Sequence, residues 1–135
     1  MPIKQKRGVR WPWLGVPMGI MLVLWATSSL PATASTLGGI PMPKPLQKLA
    51  HVVAYGSLGA AWFWALDGGT WALALTTAYA GIDEVHQTSV PGRFGTPWDV
   101  ALDSASAGMA LVIMRRLRKR CEKRLQSYRF RNAER

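Results

Sequence analysis

The sequence predicts an all-α protein: an integral membrane four-helix bundle built from two antiparallel helical hairpins, with the N- and C-termini both cytoplasmic. Three observations predict it. Of 135 residues, 49% are apolar, yet the mean hydropathy is only +0.05, so two kinds of sequence are mixed in one chain. The apolar part, residues 11–114, divides into four runs, at about 11–30, 48–66, 70–88 and 97–115. A helix of about 20 mostly apolar residues crosses a hydrocarbon core. The ends supply most of a net charge of +10: a basic segment 1–10 and a basic tail 115–135. At this length one domain is expected.

The first segment carries Lys4, Lys6, Arg7 and Arg10 and no acid. The run 11–30 is uncharged, with Trp11 and Trp13 suited to a membrane interface and Pro12 and Pro17 early enough for a helix start to tolerate. Ala32-Thr33-Ala34 resembles a signal-peptidase site. The apolar run before it is longer than a usual signal core, so it is expected to stay as a span. Residues 31–47 are rich in Pro, Ser, Thr and Gly and read as a loop, with a re-entrant stretch near 41–45. The second run contains His51 and no formal charge after Lys48. Asp67-Gly68-Gly69-Thr70 is a tight turn, which makes spans two and three a hairpin. Span three reaches spanning length only if Asp83, Glu84 and Gln87 belong to it. Span four holds Asp103, and Arg115–Arg124 follows as a basic helix or a disordered tail. The single cysteine, Cys121, offers neither a disulfide partner nor a metal cluster. It reads as a plain thiol, with palmitoylation the alternative.

Basic residues set the orientation. They flank the start of span one and the end of span four, which puts both ends in the cytoplasm of a bacterial cell and requires an even number of spans. A basic chain also raises nucleic acid as a partner, but these cations flank apolar spans and meet anionic lipid instead. The loops at 31–47 and 88–96 then face outward.

This topology brings distant polar residues to one depth. Lys48, His51 and Tyr55 lie on one face of span two, at i, i+3, i+7. Tyr79, Asp83 and Gln87 share a face of span three, with Glu84 beside them. Asp99, Asp103 and Ser106 share a face of span four, and Arg93 lies in the loop between. These stripes should point inward, because a charge facing lipid costs about 2.5–3.5 kcal/mol or more. Asp99 has a structural explanation: Thr96 as N-cap, Pro97 at the first position and Asp99 closing a Thr-x-x-Asp capping box. Lys48 near a helix N-terminus and Asp83 and Glu84 near a C-terminus stand at unfavourable dipole ends, which suggests that they offset one another. Four acids against Lys48 and Arg93 leave two negative charges to be met by a held proton, a charged His51, Lys44 or a bound cation.

These residues resemble the VanZ-like membrane protein family. The resemblance rests on Lys48-x-x-His51-x-x-x-Tyr55-x-x-Leu58-Gly59, then Asp83-Glu84-x-x-Gln87-x-x-x-Pro91-Gly92-Arg93 followed by Asp99, over roughly residues 44–110. Gln47 stands where that family usually has an acid, Asp103 where it has Asn, and Ser106 where it has Gly. The resemblance implies a four-helix membrane protein and a link to lowered susceptibility to glycopeptide antibiotics of the teicoplanin type.

Four readings of the polar cluster compete. A binding or shielding protein would use Lys48, His51, Tyr55, Asp83, Glu84, Gln87, Arg93 and Asp99 to hold a membrane lipid headgroup, a lipid-linked cell-wall precursor or a glycopeptide, with Tyr55, Trp62 and Trp98 along its apolar part. A membrane-embedded enzyme would use Glu84, Asp83 or His51 in acid/base roles, with Arg93 and Lys48 as the anion clamp. Asp83, Glu84, His51 or His86 could hold a divalent metal, but the spacing matches no metal motif, and no cofactor is expected. A transporter or proton relay is disfavoured by the lack of an inverted repeat. A purely structural lock is the bland reading, and His86, off the main face, is assigned to a loop or surface role. The oligomeric state has no signature in the sequence.

Overall fold

The computed structural model describes residues 8–31, 36–37, 40–41 and 43–133. A short 3-10 turn, Trp11–Trp13, leads into α1, Gly15–Ser28. Two residue pairs, Thr36–Leu37 and Ile40–Pro41, form a minimal antiparallel ladder, β1 and β2. Then come α2, Lys44–Ala65, α3, Gly69–Thr88, and α4, Pro97–Ala133. The architecture is all-helical apart from that ladder, which lies in the segment expected to be loop. The Ala32-Thr33-Ala34 site and most of the basic segment before Gly8 fall outside the described residues.

Helix α3, Gly69–Thr88, covers the third apolar run, and Asp83, Glu84 and Gln87 are helical within it. Helix α2 begins at Lys44, four residues before the expected 48, so residues 44–47, read as the end of the 31–47 loop, are helical. Pro43 caps the helix and Pro45 lies in its first turn, where a missing N–H is harmless. The prolines that suggested a loop start a helix. The basic tail is helical through 133: no Gly or Pro interrupts residues 109–133, and α4 runs 37 residues. At 1.5 Å per residue that is roughly 55 Å.

Contacts at the two ends fix helix direction. At one end the Arg10 N–H donates to the Ala65 carbonyl at 2.8 Å. There Asp67, in a left-handed conformation (φ 50°) in the α2–α3 turn, meets Arg118 at 2.6 Å and Arg10 at 3.9 Å. The hydrogen bond to Asp67 holds the Arg118 guanidinium above its ordinary range. At the other end lie Ser28, Lys48, Asp83 and Asp99. The helices therefore alternate up and down, with Arg10 before α1 and Arg118 within α4 both meeting the Asp67 turn. Helices α2, α3 and α4 pack on one another, whereas α1 flanks them at fewer points. The two-hairpin description is thus refined to a three-helix core with a flanking helix.

The core consists of Tyr55, Leu58, Trp62 and Phe63 from α2, Ala72, Tyr79 and Ala80 from α3, Leu111 from α4 and Leu24 from α1. Gly59 lets α2 and α4 approach: a Cβ there would lie 3.1 Å from the Ala107 Cβ and 3.2 Å from its Cα. Gly59→Leu is expected to force the helices apart and destabilise the bundle by about 1–3 kcal/mol. Thermal unfolding in detergent micelles checks this, and an unchanged midpoint would contradict the close packing. Among the described residues one stretch, Trp11–Ser28, is long and apolar enough to cross a membrane. The other three long helices carry the polar residues that make up the site.

Candidate functional site: a polar cleft at one end of the bundle

An open cleft of about 450 Å³ lies at the end opposite Asp67. Its walls include Lys44, Gln47, Lys48 and His51 of α2, Glu84 and Gln87 of α3, and Asp99, Leu102 and Asp103 of α4. Gly92, Arg93 and Phe94 of the loop at 89–96 close one side. Six of the eight expected binding residues, Lys48, His51, Glu84, Gln87, Arg93 and Asp99, are therefore brought together.

The other two, Asp83 and Tyr55, lie beneath the cleft and not in its wall. Asp83 is 1% exposed. Its Oδ2 accepts three hydrogen bonds, from Ser28 Oγ at 2.9 Å, Tyr55 OH at 3.0 Å and Gln87 Nε2 at 3.0 Å. One carboxylate oxygen thus ties α1, α2 and α3 together, while Oδ1 has no protein partner among the described residues. Tyr55 stacks beside His51, with ring centroids 6.0 Å apart. Residues 83 and 84 are about 100° apart on a helix of 3.6 residues per turn, so one acid faces the bundle centre and its neighbour faces the cleft.

Lys48 and His51 each stand against an acid of α4 in the cleft. Lys48 Nζ meets Asp99 Oδ1 at 3.0 Å, so its partner is the capping acid of α4 and not Asp83 or Glu84, against which the dipole argument sets it. His51 Nδ1 lies 3.6 Å from Asp103 Oδ2, so the acid that sets this chain apart from the family pattern stands against the histidine. Lys44, which makes no ion pair among the described residues, also lines the cleft. With Lys44 and Arg93 present, three cations and His51 face Glu84, Asp99 and Asp103, with Asp83 below. The excess negative charge counted from the sequence is largely met.

The capping box is only half of what the spacing suggested. The Asp99 N–H donates to Thr96 Oγ1 at 3.3 Å, and Thr96 Oγ1 donates to Asp99 Oδ2 at 2.9 Å. The Thr96 N–H, which a complete box would give to Asp99, goes to Glu84 Oε1 of α3. Asp99 is thereby left with Oδ1 for Lys48. The approach depends on Gly95, where a Cβ would come within 2.5 Å of the Glu84 carbonyl oxygen. Glu84 is thus a structural acceptor as well as a cleft wall, which weakens its candidacy as a general base.

Other expectations are corrected. Trp62 is buried in the core and Trp98 is 81% exposed, so neither lines the cleft. The aromatic side chain there is Phe94. His86 is not in a loop: it lies in the last turn of α3. Its ring stacks on Trp25 at 4.0 Å and its Nε2 lies 2.9 Å from Ser29 Oγ. It fastens α3 to the end of α1. Ser28 carried no signal in the sequence, being one hydroxyl at the end of an apolar run. Among the described residues no group of three His, Cys, Asp or Glu side chains gathers as a metal site.

A family model described as VanZ/LLP1 matches residues 6–118. No curated protein and no solved structure matches the chain.

Proposed function

Because this chain belongs to the VanZ/LLP1 family, we propose that it is a multi-pass protein of the bacterial cytoplasmic membrane whose outward-facing cleft binds an anionic headgroup. The candidates are a membrane lipid, a lipid-linked cell-wall precursor or a glycopeptide, and binding would lower antibiotic susceptibility. The observation that carries this reading is the gathering of Lys44, Lys48, Arg93 and His51 around one cleft. That cleft lies opposite the basic end formed by Arg10, Arg115 and Arg118. Cations concentrate on the cytoplasmic side of membrane proteins, so the cleft belongs outside.

Membrane immersion is supported by large apolar side chains exposed on every helix, including Leu22, Val53, Val85 and Met109. Patches of this kind need a cover. Immersion also makes sense of the polar interior: Asp83, Glu84, Gln87 and Asp103 are buried while many leucines and valines lie outside, against the usual preference of a water-soluble protein.

The test is retention of phosphatidylglycerol against phosphatidylcholine by the purified full chain, read by native mass spectrometry. Preferential retention of the anionic lipid is expected, and equal retention would overturn the cleft reading. For the antibiotic arm, expression should raise the teicoplanin concentration that inhibits growth. No difference with and without the gene would remove that role.

A membrane-embedded enzyme acting on a lipid-linked substrate is the second reading, favoured by the His51–Asp103 pair. A carboxylate at Nδ1 orients an imidazole and leaves Nε2 to exchange a proton with a bound ligand. Hydrolysed lipid in the same mass spectra would support it, and intact lipid after prolonged incubation would count against it.

A further inference from the structure

A second opening of about 700 Å³ adjoins the cleft. It is a groove between α1 and α2, walled on the α1 side by Val16, Gly19, Ile20, Val23 and Leu30 and on the α2 side by Ala50 and Ala54. Gln47, His51 and Arg93 belong to both openings, so the polar cleft runs directly into the apolar groove. The groove exists because α1 is fastened at few points. Arg10 ties its approach to Ala65, Tyr79 OH donates to the Met21 carbonyl, and Ser28 reaches Asp83. Between these ties the facing residues are small, Gly19 on α1 and Ala50 and Ala54 on α2, and the space between the two helices stays open. At Gly19 a Cβ would meet nothing within 4 Å.

We propose that the groove is the tail site of the same ligand: it takes one acyl chain of an anionic phospholipid whose phosphate lies in the cleft near Arg93. This rests on the cleft reading above and narrows it, because a free headgroup or a glycopeptide core has nothing to place there. Two observations choose this occupant. The shared residues make one continuous amphiphilic site, cationic at the cleft end and apolar beyond it. The lining residues on α1 run from Gly15 to Thr27, with Leu30 just past the helix end, a helical rise of roughly 18 Å. That exceeds the ~15 Å of one leaflet's hydrocarbon, half of a ~30 Å core, so a leaflet chain fits along it. Both openings fall within the size range of ligand pockets, about 300–1,000 Å³.

The test uses the full chain in detergent with three probes: phosphatidylglycerol, its one-chain lyso form and water-soluble glycerol phosphate. The lyso form is expected to bind within about threefold of the two-chain lipid and glycerol phosphate at least about 100-fold more weakly. Gly19→Phe, which projects into open space, should weaken both lipids about tenfold or more and leave glycerol phosphate unchanged. A phosphatidylglycerol carrying a photoreactive tail supplies an independent measurement and should label residues 15–30 and 47–54. Equal labelling of the outer faces at Ile82, Val85 and Met109 would show a general lipid coat and overturn the tail site. Glycerol phosphate binding as tightly as lipid, or unchanged lipid binding by Gly19→Phe, would overturn it while leaving the cleft reading intact. Displacement of the phospholipid by an isoprenoid phosphate at far lower concentration would overturn the choice of an acyl chain. Loss of all binding, headgroup included, would bring down the cleft reading itself.

Discussion

Asp83→Leu is expected to lower the stability of the bundle by about 2–4 kcal/mol, a fall of about 10 °C in the unfolding midpoint for a chain of this size. The substitution keeps the approximate volume but removes the acceptor of three donors at once, Ser28, Tyr55 and Gln87. Polar contacts between membrane helices average only about 0.6 kcal/mol each, so three lost bonds alone give about 2 kcal/mol. The remainder comes from donors left without a partner, about 1–3 kcal/mol each when none re-forms. Some re-pairing tempers this, because Gln87 Nε2 already lies 3.4 Å from Ser28 Oγ. Asp83→Asn keeps one acceptor oxygen and should lose only about 1 kcal/mol. Thermal unfolding in detergent micelles would measure both. Wild-type stability in Asp83→Leu would show that the carboxylate does not hold the three helices.

Arg93→Gln is expected to weaken binding of phosphatidylglycerol by about 10- to 100-fold. Hydrogen bonds to charged groups contribute about 1.5–3 kcal/mol, and each ~1.4 kcal/mol is a factor of ten in affinity. Arg93 should have the largest effect among the cleft cations. Lys44 carries a compact charge, whereas the Arg fork can grip two phosphate oxygens. Arg93→Lys keeps the charge and loses the fork, so its affinity should fall between the two. A titration in which neither variant differs from wild type would remove Arg93 from the binding role. The unfolding midpoint of each variant separates lost binding from lost fold.

Much of this arrangement could be read from residue spacing. The Asp67-Gly68-Gly69 turn fixed where α3 begins, and helical periodicity placed Lys48 and His51 opposite Asp99 and Asp103. That common depth follows from local geometry alone; which acid meets Lys48 depends on packing, and it is Asp99 and not Asp83 or Glu84. What escaped depends on relations between segments. Ser28 is one small hydroxyl, and no periodicity in α1 marks it. Periodicity put Asp83 on the inward face with Tyr79 and Gln87, but the bond from Thr96 to Glu84 depends on the path of the loop before α4. Phe94 and Gly95 sit in a loop whose path is set by the helices it joins. The start of α2 was misplaced because Pro reads as a breaker in a loop-rich context and as a favoured residue once a helix begins there. The aromatic lining failed for a similar reason: Trp62 and Trp98 are on helices that approach the cleft, but their faces turn elsewhere.

The cap of α4 also orders the events of folding. Helices usually satisfy their first N–H groups with residues a few positions away, which are present as soon as the segment is made. Here Thr96 and Asp99 exchange their short-range bonds, but the Thr96 N–H waits for Glu84, twelve residues upstream on another helix. That bond cannot form until α3 is helical and α4 lies beside it. Lys48 adds a later closure still, joining Asp99 across fifty-one residues. The α2–α3 hairpin, joined by a three-residue turn, closes over a short loop and can form first. The mouth of the cleft is therefore completed only after α4 has docked on α2 and α3, and a chain stalled before that step would hold its helices without the site.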